Sequence, residues 1–239
     1  MDQRFSIIVP AYNEAALLPR LLASVRKAAE TTNANVQVIV ADNQSTDATA
    51  DFARAAGAQV VEVSKRCIAA ARNGGASAAR GDVLCFVDAD MQIHPNTFAA
   101  IGAAMANPTV LGGASGVTLE RWSLGLAVTF ASMLPMIWLS GMDTGVVFCR
   151  REDFVSLRGY DESLLVAEDV AFLYALRRLG RNRGQRLIRL SGAKSIASTR
   201  KFDEFGDWHY FGLMWQGMKH LLRRGDTDFA DRYWYRPKR

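Results

Sequence analysis

The chain has little of what would make it a disulfide-stapled or zinc-bound protein: three cysteines and three histidines in 239 residues. Cys67, Cys85 and Cys149 are odd in number, far apart and outside any C-x-x-C spacing, so neither a disulfide framework nor a cysteine zinc site is indicated. Cys85 sits in an apolar run and reads as a small hydrophobe. There is no Ser/Gly linker, low-complexity tract or internal repeat, which argues for one domain. No G-x-G-x-x-G follows the first apolar run, which counts against a dinucleotide-dependent dehydrogenase. The opening "MDQRFSIIVP" lacks the long apolar core of a signal peptide, so a reducing cytoplasm is expected. One stretch lacks charge altogether: Trp122 to Met142, "WSLGLAVTFASMLPMIWLSGM", is long enough to cross a bilayer. Gly125, Pro135 and several hydroxyl residues weaken that reading.

What is present is ordinary in amount and uneven in placement. Apolar residues make up 49% and charged residues 22%, values of a globular protein with a sizeable core. The net charge of +5 is concentrated in "LRRLGRNRGQRLIRL", "KHLLRRG" and "RYWYRPKR". Such patches suit phosphates of nucleic acid, anionic lipid or a small molecule, and a solvated helix face explains many of them equally well.

Strands and helices alternate through the first half. "FSIIVPAYN", "VQVIVADN", "AQVVEVS" and "DVLCFVDAD" read as strands. Between them stand "AALLPRLLASVRKAAE", with Leu18, Leu21, Leu22 and Val25 on one face, and "STDATADFARAAG", which opens on helix-capping residues and stops at Gly57. "AAARNGGASAARG" is Ala-rich but weakened by Gly74 and Gly75, and "PNTFAAIGAAMAN" reads as a helix opened by Pro95. This order predicts an α/β fold with a mostly parallel central sheet flanked by helices. Ligands of such sheets collect beyond the carboxyl ends of the strands. Tyr12-Asn13-Glu14, Asp42-Asn43 and Asp88-Ala89-Asp90 all fall there, and acids gather in one place when a cation neutralises them. After about residue 110 the alternation decays into a strand and turn in "TGVVFCRREDF", a helix in "VAEDVAFLYALRRLGR", a strand in "RLIRLSGAKSIAS" and an aromatic helix from "FDEFGDW" onward.

In "DADMQ", Asp88 and Asp90 can aim oxygens into one small volume, as Mg²⁺ and Mn²⁺ require, and Gln92 adds a neutral oxygen. A D-x-D alone is as well explained by a solvated turn. Here it stands in order with "IIVPAYNEA", "ADNQSTDAT", "RNGGASAARGD" and, downstream, "FCRREDFVSLRGYDESLLVAEDVAFLYALRRLGR". As an ordered set these stretches resemble the family-2 glycosyltransferases of the GT-A fold, which invert the anomeric centre of nucleotide-diphosphate sugars. "DADMQ" is also similar to the variant in polyprenyl-phosphate sugar transferases.

The resemblance implies roles residue by residue. Pro10, Tyr12 and Glu14 line the nucleotide pocket, Asp42 bonds the base, Arg72 lies near the nucleotide or its phosphates, and Asp88 contacts ribose or a metal water. Ala41 stands where the family often has another acid. Asp90 is the direct metal ligand, Mn²⁺ or Mg²⁺, with Asp88 and Gln92 beside it and His209 as a late candidate. Asp169 is the general base and Glu168 its neighbour. Adjacent acids raise each other's pKa, which suits a base near neutrality, and a helix N-terminus favours such a pair on structural grounds alone. Arg200 and Lys201, in "STRKFDEFG", are candidates for the leaving diphosphate or an acceptor phosphate.

The implied partners are a nucleotide-diphospho-sugar donor, a carbohydrate or lipid-linked acceptor and peripheral contact with the inner face of a membrane, but not nucleic acid. The expected layout is a single catalytic domain over 1–239, with a nucleotide half at 1–110, an acceptor half at 111–200 and an aromatic, basic helix and tail at 201–239. A true span at 122–142 would separate the E-D pair from the metal acids, so the segment is expected to be a buried helix or an apolar acceptor wall. Trp208 and Trp215 are expected in core packing, and Tyr233, Trp234 and Tyr235 at a membrane interface. The rival readings are an Asp88 phosphotransferase and a membrane-surface protein that keeps the fold without catalysis.

Overall fold

The computed structural model describes residues 3–140, 145–164 and 167–208. In chain order the elements are β1 (Arg4–Ala11), α1 (Leu18–Thr32), β2 (Asn35–Asp42), α2 (Thr49–Ala55), β3 (Gln59–Glu62), α3 (Ile68–Ser77), β4 (Val83–Phe86) and β5 (Met91–Gln92). They continue with α4 (Thr97–Met105), β6 (Val110–Leu119), α5 (Leu124–Ser140), β7 (Val147–Arg150), α6 (Arg151–Ser156), α7 (Glu168–Asn182), β8 (Arg186–Ala197) and α8 (Arg200–Phe205).

The strands form one sheet in the order β3-β2-β1-β4-β7-β6-β8-β5. β1 pairs in parallel with β2 and β4, and β2 with β3, whereas β7 runs antiparallel to β4 and β6. This is the mixed, mostly parallel sheet flanked by helices that the alternating pattern predicts. β1 is buried at every residue but its first. It reads as a continuous apolar run because helices cover both faces of the sheet. Alternate residues then serve two cores. Ile7, Val9, Val40 and Cys85 pack with Leu18, Leu21 and Val25 of α1 and with Phe98 and Ile101 of α4. Ile8, Ile39, Leu84 and Phe86 pack with the alanines of α3, Phe154 of α6 and Phe172 and Leu176 of α7.

Gly74 and Gly75, which weaken the helix reading of α3, are what let it lie close to the sheet. A Cβ at Gly75 would stand 2.5 Å from Ile8 Cγ2, and one at Gly74 would stand 2.6 Å from Val63 Cγ2. That approach sets Arg72 and Asn73, in the middle of the same helix, above the strand ends. Three other features differ from the expected pattern. β4 stops at Phe86, so Asp88 and Asp90 lie in the turn between β4 and β5 and not on a strand. β6 is a strand that its Gly-rich sequence hides, and α4 begins at Thr97 and not at Pro95.

Among the described residues the chain forms two compact units, one of residues up to 118 together with 145–197, the other of 119–140 together with 198–208. The whole sheet up to Thr118 and the E-D pair belong to the first. In the second, Arg121 holds Asp203 at 2.7 Å and pairs with both oxygens of Asp207 at 2.6 and 3.2 Å. The charge-free segment forms α5, with Leu126 and Thr129 buried while Trp122, Leu124 and Val128 are exposed. No described helix is long and apolar enough to cross a membrane. Trp208 departs from the expected core packing. Its ring lies near Gly125, but the residue is 57% exposed. Trp215 and the Tyr233–Tyr235 tail lie outside the described residues.

Candidate active site

The first part of the site is a pair of loops at the carboxyl ends of β1 and β2. Asn13, left-handed at φ 53°, donates its backbone N–H to Ser45 Oγ at 3.0 Å, and its Oδ1 accepts from the Thr46 N–H at 2.8 Å. The Glu14 N–H reaches Thr49 Oγ1 at 2.8 Å, and the Ala15 N–H reaches Asp47 at 3.2 Å. The Ser/Thr/Asp run that reads as a helix cap therefore stitches one rim loop to the other, while Asp47 Oδ1 also accepts the Thr49 N–H at the start of α2 at 3.0 Å. Buried Pro10 closes the floor at the end of β1, and the Arg66 guanidinium lies 4.6 Å from the centre of the Tyr12 ring.

Asp42 ends β2 and is buried. Its Oδ2 accepts from the Ser45 N–H at 3.3 Å, whereas its Oδ1 is buried without a hydrogen-bond partner. An unsatisfied buried acceptor costs on the order of 1–3 kcal/mol, so this oxygen is a natural partner for an N–H brought by a ligand. Asn43 beside it donates to the carbonyls of Val63 and Lys65 at 2.9 and 2.7 Å, which fixes the loop leading to α3.

The second part centres on Arg72, whose side chain is 3% exposed. One nitrogen, Nη2, donates to Asp88 Oδ1 at 2.8 Å. The other, Nη1, donates to Glu168 Oε1 at 2.6 Å and lies 2.8 Å from Asp169 Oδ1. Sixteen residues separate Arg72 from Asp88 and 96 separate it from Glu168, so the contacts are a product of the fold. The sequence reading puts Arg72 near the nucleotide or its phosphates. In the structure its guanidinium is held by three carboxylates and draws the D-x-D turn and the E-D pair together.

Aromatic rings lie against this cluster. The Arg72 guanidinium is 5.2 Å from the centre of the Tyr160 ring, which stacks on Phe172 at 4.4 Å and meets Phe86 edge-on at 5.1 Å. Ala167, left-handed at φ 62°, turns the chain into α7, whose first two residues are Glu168 and Asp169. The helix dipole favours acids at that position.

One guanidinium among three carboxylates leaves an excess of negative charge in a space poor in water. Two like charges 4 Å apart cost about 4 kcal/mol at an effective dielectric constant of 20. The result is visible at Asp169: burial raises its pKa, Arg72 opposes the rise, and Asp88 and Glu168 add to it, bringing it to about 7. Burial, with Asp169 next in importance, also holds the Tyr160 hydroxyl well above the usual phenol range, so it stays protonated. Burial works against charge on Arg72, but Asp169 and Asp88 keep it firmly a cation.

The remaining expected residues are distributed as follows. Asp90 and Gln92 are partly exposed on the turn and strand after Asp88, and the Asp88 side chain is 38% exposed on the side away from full burial. Among the described residues no three His, Cys, Asp or Glu side chains cluster as a ready metal cage. Arg200 opens α8 in the second unit. The Lys201 side chain and His209 lie outside what is described. Tyr160 and Asn73 escape the sequence reading, which places Asn43 at the rim without a role. The only signals for the first two are the adjacency of Asn73 to Arg72 and the Gly-Tyr step before the E-D pair.

Residues 6–142 match the model of Glycosyl transferase family 2. The validoxylamine A glucosyltransferase of Streptomyces hygroscopicus is 34% identical over 110 residues, 43% of this chain and 26% of that protein. The undecaprenyl-phosphate 4-deoxy-4-formamido-L-arabinose transferase of Aeromonas hydrophila is 36% identical over 117 residues, 45% of this chain and 35% of that protein. The chain thus spans about a third or less of the length of these curated relatives. Among solved structures, a mannosyltransferase from Pyrobaculum calidifontis in complex with GDP-Man and Mn²⁺ shares the fold with a TM-score of 0.66. Identity to it is 22%, over 82% of this chain and 57% of that one.

Proposed function

The chain belongs to glycosyltransferase family 2, and from that premise we propose that it is an inverting, metal-dependent glycosyltransferase with a nucleotide-diphosphate sugar as donor and a hydroxyl acceptor. The observation that carries this reading is the Arg72 cluster, in which Asp88 of the D-x-D turn and Glu168-Asp169 of α7 are tied to one buried guanidinium.

In this reading the base and ribose of the donor lie over the rim loops. Asp42 Oδ1, buried and unpartnered, accepts an N–H from the base, and Pro10, Tyr12 and Glu14 flank it. The donor set at Asp88, Asp90 and Gln92 fits a hard divalent cation. All three offer oxygen, all are reachable from solvent, and Asp88 commits only Oδ1 to Arg72. A bound ion would supply the positive charge that makes the diphosphate a competent leaving group. The relative from Pyrobaculum was solved with Mn²⁺, which supports the same choice here.

Asp169 takes the proton of the acceptor hydroxyl as it attacks the anomeric carbon. A carboxyl group brought to about 7 is suited to that exchange near neutrality. Glu168 shares Arg72 with it and keeps the guanidinium, and so both acids, in place. The phosphate-binding role suggested for Arg200 and Lys201 rests on their sequence alone. A lipid-linked acceptor, presented at a membrane surface, is supported by the undecaprenyl-phosphate relative and by exposed Trp122, Leu124 and Trp208. The phosphotransferase alternative leaves the joining of Asp88 to the E-D pair without a purpose.

The test is incubation with Mn²⁺ and a panel of nucleotide sugars, following nucleoside diphosphate release. One donor is expected to be turned over with inversion at the anomeric carbon, and EDTA or Asp90→Ala to abolish it. Turnover that survives both would overturn the metal assignment.

A further inference from the structure

We propose that Asn73, next to Arg72 on α3, is a positioning residue that fixes the approach to α7 and thereby the placement of Glu168 and Asp169. The proposal rests on the glycosyltransferase reading only in taking those two acids as the ones that matter.

Asn73 grips the backbone of a distant loop at two points. Its Nδ2 donates to the Tyr160 carbonyl at 2.9 Å, and its Oδ1 accepts from the Tyr160 N–H at 2.8 Å. The second hydrogen of Nδ2 goes to Glu162 Oε1 at 3.0 Å, and Glu162 Oε2 accepts from Lys65 Nζ at 2.9 Å. Cys67, at the start of α3, directs its thiol toward the carbonyls of Glu162 and Leu164 at 3.8 and 3.9 Å. One helix and the loop before it therefore hold residues 160–164 by bonds that cross 87 to 97 positions of sequence.

Gly159 is fitted to this grip. Its φ is +76°, and a Cβ there would stand 2.4 Å from Asn73 Oδ1, so any side chain would push the amide away. The grip also needs a donor and an acceptor on one short planar group. A carboxylate offers no donor, a hydroxyl spans too little, and Gln is one methylene too long.

The consequence for the acids follows from packing. Tyr160, whose backbone Asn73 grips, stacks its ring on Phe172 of α7 at 4.4 Å and lies 5.2 Å from the Arg72 guanidinium, so holding Tyr160 holds the helix that begins with both acids. Arg72 and Asn73 thus act from consecutive positions: Arg72 holds the carboxylates and Asn73 holds the chain that delivers them. A misplacement of about 1 Å at a reacting group costs up to about a hundredfold in rate. Loops such as this one otherwise open at low free-energy cost.

Amide hydrogen exchange on the full chain tests this directly, with Asn73→Ala, Asn73→Asp and the double variant Asn73→Asp/Glu162→Gln. The Leu164 and Ala171 amides, which bond Asp161 O and Ala167 O, are expected to exchange at least about tenfold faster in both single variants, with β1–β4 amides within about twofold of wild type. Asn73→Asp faces two acceptors, the Tyr160 carbonyl and Glu162, and Glu162→Gln returns a donor only at the second, so the double variant is expected to exchange more slowly than Asn73→Asp without reaching wild type. With the donor identified by the nucleotide-sugar panel, kcat is expected to fall about tenfold or more while nucleoside diphosphate affinity stays within about twofold.

Unchanged exchange at Leu164 and Ala171 overturns the proposal, as does faster exchange with unaltered kcat. If Asn73→Ala does not fold, Glu162→Ala is read instead. It removes the contacts to Asn73 and Lys65 from a partly exposed side chain and leaves the Asn73–Tyr160 bonds, and about threefold faster exchange at Leu164 is expected, with no change counting against the proposal. A wild-type protein without turnover counts against the proposed function and leaves the exchange result to decide this inference.

Discussion

Two arginines in this protein each gather several carboxylates, and they do so under different conditions. Arg72 is 3% exposed and holds Asp88, Glu168 and Asp169, whereas Arg121 is 38% exposed and holds Asp203 and Asp207. Water around Arg121 screens its pairs, so the acids gain and the surface barely notices. Asp207 is drawn below the usual carboxylate range by its hydrogen bonds to Arg121. Around Arg72 the same chemistry without water leaves Asp169 pushed up to about 7 by burial. Geometry alone does not separate a staple from a reaction centre. Burial separates these two clusters, since acids outnumber the cation in both.

The largest effect expected is at Asp169. Asp169→Asn removes the proposed base and is expected to lower turnover by about a thousandfold, with nucleoside diphosphate affinity retained. The same substitution probes the energetic side of the contrast. An acid with a raised folded pKa holds its proton longer in the folded than in the unfolded chain. It therefore erodes stability as pH rises from the unfolded value near 4 through about 7. Without metal, Asp169→Asn is expected to melt higher than wild type at pH 8 and equally at pH 3.5. A melting difference that is constant with pH would break the account of Asp169. In the same range, kcat/KM of the wild type is expected to climb with pH as the carboxylate forms.

Next is the contrast between the arginines themselves. Arg72→Ala leaves buried acids without their cation and is expected to cost about 3–5 kcal/mol in urea unfolding. A cost under 1 kcal/mol would place Arg72 in the same class as Arg121. Smaller again, Asp42→Ala removes the acceptor assigned to the base and is expected to weaken nucleoside diphosphate binding about tenfold by calorimetry. The smallest effect belongs to Arg121→Ala, whose solvent-screened pairs are expected to leave the urea midpoint nearly unchanged, and even less changed in 1 M salt.

How much of this can be read in the sequence differs between the same regions. The apolar runs of β1, β2 and β4 and the helical spacing of α1 follow from local chemistry, and so the parallel part of the sheet is legible residue by residue. The acids at strand ends are legible too, because a parallel sheet dictates where its strand ends meet. What cannot be read is any contact made across the chain. Tyr160 and Asn73 look like an ordinary loop aromatic and a helix polar residue, since the partners that give them meaning lie 87 positions apart. Gly74 and Gly75 look like defects in a helix until the closeness of Ile8 and Val63 is known. The Ser/Thr/Asp run at 45–49 has a local use as a cap, which the sequence shows, and a longer-range use as a stitch, which it does not, and Asp47 serves both. β6 is invisible because Gly112, Gly113 and Gly116 carry no pattern of alternation.

The most direct test of the central claim is a calorimetric titration of nucleoside diphosphates with and without Mn²⁺, on wild type and Asp88→Ala. The Arg72 cluster as a reaction centre requires that one nucleoside diphosphate bind at least about tenfold more tightly with the ion, and that Asp88→Ala remove this gain. Equal affinity in all four titrations, or no binding at all, would contradict it.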